Sequence, residues 1–153
     1  MYIDFRKPSK EDAKDIAEWK YEGIYSFYDN DKTEAKQQWA RNIHHEENTF
    51  ALYNENKELI GNCCFDFDEE EGIIFGVQMR PDLTGKGMGT DLIKIILDFG
   101  KEKYQYDEIK LYVAKFNRRA IRVYEKLGFV VNEEFLWHVN GEEREFIGMF
   151  KRF

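Results

Sequence analysis

Three glycines at alternate positions, Gly85, Gly87 and Gly89, separate an apolar run, Ile73 to Met79, from a second one, Leu92, Ile93, Ile95, Ile96, Leu97 and Phe99. The first run reads as a strand and the spacing of the second as a helix. Another apolar strand follows at Ile109 to Val113. Strand, tight loop, helix and strand make the crossover that joins two parallel strands. One strand pair of this chain is therefore expected to run parallel.

The remaining pattern predicts antiparallel structure around that crossover. Tyr2 to Arg6 alternates as a short strand, and Ser9 with Asp12 three residues on forms a capping-box pattern before a helix through Trp19. Tyr21 to Tyr28 is aromatic-rich and partly helical, Asp29 to Asp31 is a loop, and Thr33 caps a helix to about His44. Thr49 to Tyr53, Leu59 to Phe67 and Ile73 to Met79 form a meander with turns at Asn54 to Lys57 and Asp68 to Gly72. Asn117 caps a helix through Leu127 that Gly128 stops. Phe129 to Phe135 and Glu143 to Phe150 pair across Asn140-Gly141, a strong hairpin signal. The order β α α β β β α β α β β gives a mixed α/β (α+β) fold. Its mostly antiparallel sheet of about seven strands has helices on both faces. The length suits one domain, 1–153.

Charge narrows the partners. A net charge of −7 argues against nucleic acid, whose phosphates demand clustered cations. Residues 80–126 nevertheless hold 11 basic against 7 acidic side chains. That local basic island suits a small polyanion. The N-terminus lacks a signal-peptide pattern, and no apolar run approaches the ~18 residues of a membrane span. The only cysteines, Cys63 and Cys64, are adjacent, which fits neither a disulfide framework nor a zinc site. No metal is expected, and a cytoplasmic location is the default.

At Gly85, Lys86, Gly87, Met88, Gly89 and Thr90 the loop opens a helix, where unpaired amides and the helix dipole favour an anion. Glycine lets the backbone approach it closely, so the segment reads as a pyrophosphate site. The spacing matches neither a P-loop nor a dinucleotide fingerprint. A glycine turn without a ligand is the other reading of the loop alone.

A second motif lies downstream, with Asn117, Ala120, Tyr124, Lys126, Gly128 and Phe129 spaced as N-x-x-A-x-x-x-Y-x-K-x-G-F. Together with the stretch Thr84 to Gly89 it resembles the GNAT superfamily of acetyl-CoA-dependent N-acetyltransferases. The loop of that family usually begins with Arg or Gln, where this chain has Thr84. The resemblance implies a parallel strand pair that splays. It also implies CoA pyrophosphate on the amides of Gly85 to Thr90, and the pantetheine arm on the backbone of Val77 and Met79. Asn117 is implied near pantetheine or phosphate, besides its plain role as an N-cap. Tyr124 matches the family's general acid, against a reading as a core tyrosine beside Ile121. Glu71 is a candidate base on a face shared with Ile73, Phe75 and Val77. The alternative is that Asp66 and Asp68 to Glu71 form only a solvated acidic turn, or attract a cationic amine.

The implied activity is acetyl transfer from acetyl-CoA to a primary amine by direct attack. The competing class is a catalytically weak CoA-binding sensor or scaffold, to which Thr84 lends support. The acceptor is open, with acidity favouring a cationic amine, and the final hairpin offers a surface for a homodimer.

Overall fold

The computed structural model describes all residues, 1–153. The strands are β1 (Asp4–Arg6), β2 (Thr49–Tyr53), β3 (Leu59–Asp68), β4 (Gly72–Met79), β5 (Glu108–Ala114), β6 (Val130–Val139) and β7 (Glu142–Arg152). The helices are α1 (Lys10–Ala17), α2 (Glu34–Arg41), α3 (Gly89–Tyr104) and α4 (Arg118–Lys126), with 3₁₀ turns at Gly23–Tyr28, Ile43–His45 and Pro81–Leu83. Hydrogen bonding orders the strands β1-β2-β3-β4-β5-β7-β6, with one parallel pair, β4–β5. The chain forms two compact units, Met1–Cys64 with Val77–Thr84, and Phe65–Gly76 with Gly85–Phe153.

In the first unit β1, β2 and the start of β3 pair antiparallel, with Phe5 opposite Leu52 and Leu52 opposite Gly61. The capping box forms as its sequence predicts. Ser9 Oγ accepts from the Asp12 amide at 3.0 Å, and Asp12 Oδ2 accepts from the Ser9 amide at 2.9 Å. α1 then buries Ala13 and Ile16 against Ile43, with Trp19 and Leu59 packed around them. The second helix ends at Arg41, earlier than expected, and the chain tightens into a 3₁₀ turn before β2. A polar network centres on Gln78. Its Oε1 accepts from Asn30 Nδ2 at 3.1 Å, and its Nε2 donates to the Tyr28 carbonyl at 3.4 Å. The segment between α1 and α2 is thereby tied to the end of β4.

In the second unit the order is β3-β4-β5-β7-β6. The parallel ladder has one registered pair, Ile74 opposite Lys110, and ends there. α3 buries Leu92, Ile93, Ile96, Leu97 and Gly100 along one stripe. Gly100 has a packing role, because a Cβ there would lie 2.5 Å from the ring of the fully buried Phe65. The last hairpin turns at Asn140 (φ 55°) and Gly141 (φ 79°), the left-handed pair a two-residue turn requires.

Asp12 carries a second duty, since its other carboxylate oxygen accepts from the Tyr53 hydroxyl, tying β2 to α1. The Arg6 guanidinium lies 4.4 Å from the Tyr53 ring centroid. The phenol is pushed up to about 12, first by burial and then by the bond to Asp12. A phenol that ionises later in the folded than in the unfolded chain stabilises the fold below pH ~10, and that contribution is lost as pH rises through the folded value. Thermal melts between pH 10 and 12 are expected to fall more steeply for the parent than for Tyr53→Phe. Parallel curves would contradict the assignment.

Candidate active site

The loop between β4 and α3 spends its polar groups at its start and leads into a helix through glycines. After the turn Pro81–Leu83, the Thr84 hydroxyl donates back to the Pro81 carbonyl at 2.8 Å. Gly85 (φ 72°) and Gly87 (φ 79°) then take left-handed conformations that other residues resist. The N-cap of α3 is Met88, whose side chain offers the helix no acceptor. The first amide with a partner is that of Leu92, which donates to the Met88 carbonyl at 3.0 Å. The amides of residues 85–91, from Gly85 through Lys86, Gly87, Met88, Gly89 and Thr90, therefore remain for an outside acceptor. A Cβ added at Gly87 would meet nothing within 4 Å, so that side of the loop is open.

α4 runs beside the loop in register with it. A Cβ on Gly85 would lie 2.9 Å from Arg119 Nη1, and one on Gly89 would lie 3.4 Å from Val123 Cγ2. Arg119 and Val123 are four residues apart and share a helix face. Asn117 is the N-cap, its Oδ1 accepting from the Ala120 amide at 3.2 Å. Tyr124 is buried at 9% exposure. Its ring stands edge-on to Phe75 at 6.2 Å and to Phe129 at 5.8 Å. Gly128 (φ 96°) turns the chain so that the Phe129 amide donates to the Tyr124 carbonyl at 3.0 Å.

Glu71 lies one residue ahead of β4, in the turn. Asp68 Oδ1 accepts from the amides of Glu70 and Glu71, both at 2.8 Å. Those two bonds hold the Asp68 carboxyl below its ordinary range. The expected face shared with Ile73, Phe75 and Val77 does not extend to Glu71. Gly72 (φ 82°) intervenes and breaks the alternation, and the Glu71 carboxylate instead accepts from the Tyr112 hydroxyl. Tyr112 lies on the face of β5 shared by Lys110, which pairs with Ile74. Phe75 and Tyr124 belong to the other face.

Tyr112 packs against two aromatic rings. Its ring is edge-on to Phe135 at 5.4 Å and to Trp137 at 6.2 Å. Opposite it in β7 is Gly148, over which the Glu133 side chain folds, 2.8 Å from where a Cβ would be. The Tyr112 phenol is pushed well above its ordinary range, by burial first, then by its bond to Glu71 and the negative charges of Glu71, Glu133 and Asp68. It therefore serves as a proton-bearing donor to Glu71.

Val77 and Met79 belong to the first unit. The Arg80 amide donates to the Ile60 carbonyl of β3 at 2.8 Å. The backbone groups of Val77 and Met79 therefore point to the other edge of β4. The Met79 carbonyl accepts from the Tyr21 hydroxyl at 2.5 Å, which occupies one of its two lone pairs. Cys63 is fully buried and burial pushes its thiol up, the setting of a small packing residue. No group of three or more His, Cys, Asp or Glu side chains is placed to hold a metal. No helix is long and apolar enough to cross a membrane.

Sequence reasoning missed Arg119 and Tyr112. Arg119 sits at an unspecified position of the second motif, and only the register of α4 against the loop singles it out from Arg118 and Arg122. Tyr112 lies 41 residues from Glu71 in the chain, and no local pattern links them.

A model of the acetyltransferase (GNAT) family matches residues 11–129. The spermidine N(1)-acetyltransferase of Escherichia coli (strain K12) is 35% identical over 77 residues, 49% of this chain and 41% of that protein. The match thus spans less than half the length of that relative. The spermine/spermidine N(1)-acetyltransferase of Bacillus subtilis (strain 168) is 28% identical over 144 residues, 93% of this chain and 78% of that protein. Among solved structures, the spermidine N-acetyltransferase from Vibrio cholerae in complex with CoA and spermine superposes with a TM-score of 0.74 at 20% identity, covering 98% of this chain and 95% of that one.

Replacing Glu71 by Gln removes a negative charge that favours the protonated phenol, while burial and an acceptor oxygen stay. The ionisation of Tyr112, read as the phenolate absorbance lost in the corresponding Tyr112→Phe protein, is expected to move to lower pH in Glu71→Gln. An unmoved titration would mean that the two side chains do not interact in solution.

Proposed function

We propose, for a chain that belongs to the acetyltransferase (GNAT) family, that it moves an acetyl group from acetyl-CoA to a primary amine by direct attack, and that the acceptor is a polyamine. The observation that carries this reading is the run of amides, residues 85–91, left without acceptors where α3 begins. Their number at a helix start suits a diphosphate, and Arg119 beside Gly85 adds positive charge. Residues 1–153 are read as one acetyltransferase domain, a reading supported by a family match that draws on both units.

Bound acetyl-CoA would supply an acetyl thioester. In this reading the amides of Gly85 to Thr90 hold its diphosphate, Asn117 reaches its pantetheine or phosphate region, and the backbone of Val77 and Met79 aligns its pantetheine arm. Tyr124 donates a proton to the departing thiolate, whose ordinary pKa is about 8.5. Glu71 takes the proton of the attacking amine. Glu71 and Tyr124 lie on opposite faces of the β4–β5 pair, so in this reading the amine's proton passes to Glu71 through water.

A polyamine acceptor is supported by the names of the relatives from Escherichia coli and Bacillus subtilis. The acidic character of residues 1–79, with 9 basic and 18 acidic side chains, agrees with it. A cytoplasmic location follows from the use of acetyl-CoA. Self-association through the final hairpin belongs to the same reading. β6 ends the strand order and leaves Val130, Val131, Leu136 and Trp137 exposed.

Thiol release from acetyl-CoA is expected with spermidine or spermine and to be much weaker with neutral amino acids. Tyr124→Phe is expected to lower kcat about 100-fold while CoA affinity, measured by calorimetry, is kept. Affinity for acetyl-CoA without turnover of any amine in a broad panel would instead favour a sensor or scaffold.

A further inference from the structure

Thr84 leaves the start of the loop without a charge, and its hydroxyl is already committed to the Pro81 carbonyl at 2.8 Å. The loop's own cation is Lys86, which is exposed. A guanidinium reaches the loop from another element. Arg119, in the first turn of α4, places Nη1 2.9 Å and Cζ 3.9 Å from the position a Gly85 Cβ would take. Gly85 is thus bare for two reasons. Its φ of 72° disfavours a side chain, and the space a methyl would need is filled by Arg119. Val123, one turn along the same face, meets Gly89 in the same way, so the approach follows from the register of the helix against the loop.

We propose that Arg119 is a ligand-binding residue that contacts the diphosphate of CoA, supplying from α4 the charge the loop lacks at Thr84. Arginine suits this task because its planar fork of donors matches phosphate oxygens and never loses its charge. The position beside Gly85 sets it next to the loop amides that the reading above assigns to the diphosphate. The proposal rests on the acetyl-CoA reading above.

The test is calorimetry with three probes: CoA, dephospho-CoA, which lacks only the 3′-phosphate, and pantetheine, which lacks the diphosphate as well. Arg119→Gln is expected to raise Kd for CoA and for dephospho-CoA alike by about tenfold, close to the loss of one charge-assisted contact. Pantetheine binding should not change. Arg118→Gln removes the same charge one residue away and is expected to leave Kd for CoA within about twofold. Thermal melts of both variants check folding. If Arg119→Gln weakens CoA but not dephospho-CoA, the arginine reads the 3′-phosphate and the proposal is overturned. It is equally overturned if neither affinity changes, or if Arg118→Gln costs as much. Failure of the parent protein to bind CoA at all would remove the acetyl-CoA reading itself, a result separate from any behaviour of the variant.

Discussion

A helix that begins without acceptors for its first amides has a deficit that the rest of the fold must accommodate. Here the deficit is kept open. A Ser or Asp at the N-cap would close it, as Ser9 does for α1 and Thr33 for α2. α3 has Met88 at that place. Gly85 and Gly87 curl the chain through left-handed conformations ahead of the first helical bond, from Leu92 to Met88. The Pro81 carbonyl accepts from the Thr84 hydroxyl. α4 lies alongside through Arg119 and Val123. Together these features leave the run of amides that the proposed function assigns to a diphosphate.

The chemistry proposed for the chain depends on how β4 and β5 divide their faces. Phe75 alternates onto one face and meets Tyr124 and Phe129. Tyr112 alternates onto the other and meets Glu71, Phe135 and Trp137. The strands' period of two thus sends Phe75, which meets Tyr124, and Tyr112, which meets Glu71, to opposite faces of the pair. The parallel ladder, a single pair at Ile74 and Lys110, sets which residue lies on which face. A shift of one residue in that register would exchange the two environments.

Much of the fold was legible because its signals are local. Ser9 and Asp12 formed the box their spacing predicts, Asn140-Gly141 formed the hairpin turn, and the glycine loop opened a helix inside a parallel crossover. Those signals fail where a boundary depends on backbone conformation. α2 stops at Arg41 rather than near His44. Glu71 falls outside the strand alternation because Gly72 turns left-handed between them. Contacts between distant residues were not legible at all. Tyr21 reaches the Met79 carbonyl across 58 residues, and nothing in either neighbourhood announces it. Arg119 was hidden for a different reason. The motif around it marks the helix, but only the packing of that helix on Gly85 shows which arginine faces the loop.

Amide hydrogen exchange followed residue by residue tests the start of α3 most directly. On saturation with CoA, the amides of residues 85–91 should pass from fast to slow exchange, while those of the β2–β3 turn at residues 54–57 keep their rates. Bound CoA that left residues 85–91 exchanging as fast as before would show that the start of α3 does not hold the diphosphate, and the account built on it would be wrong.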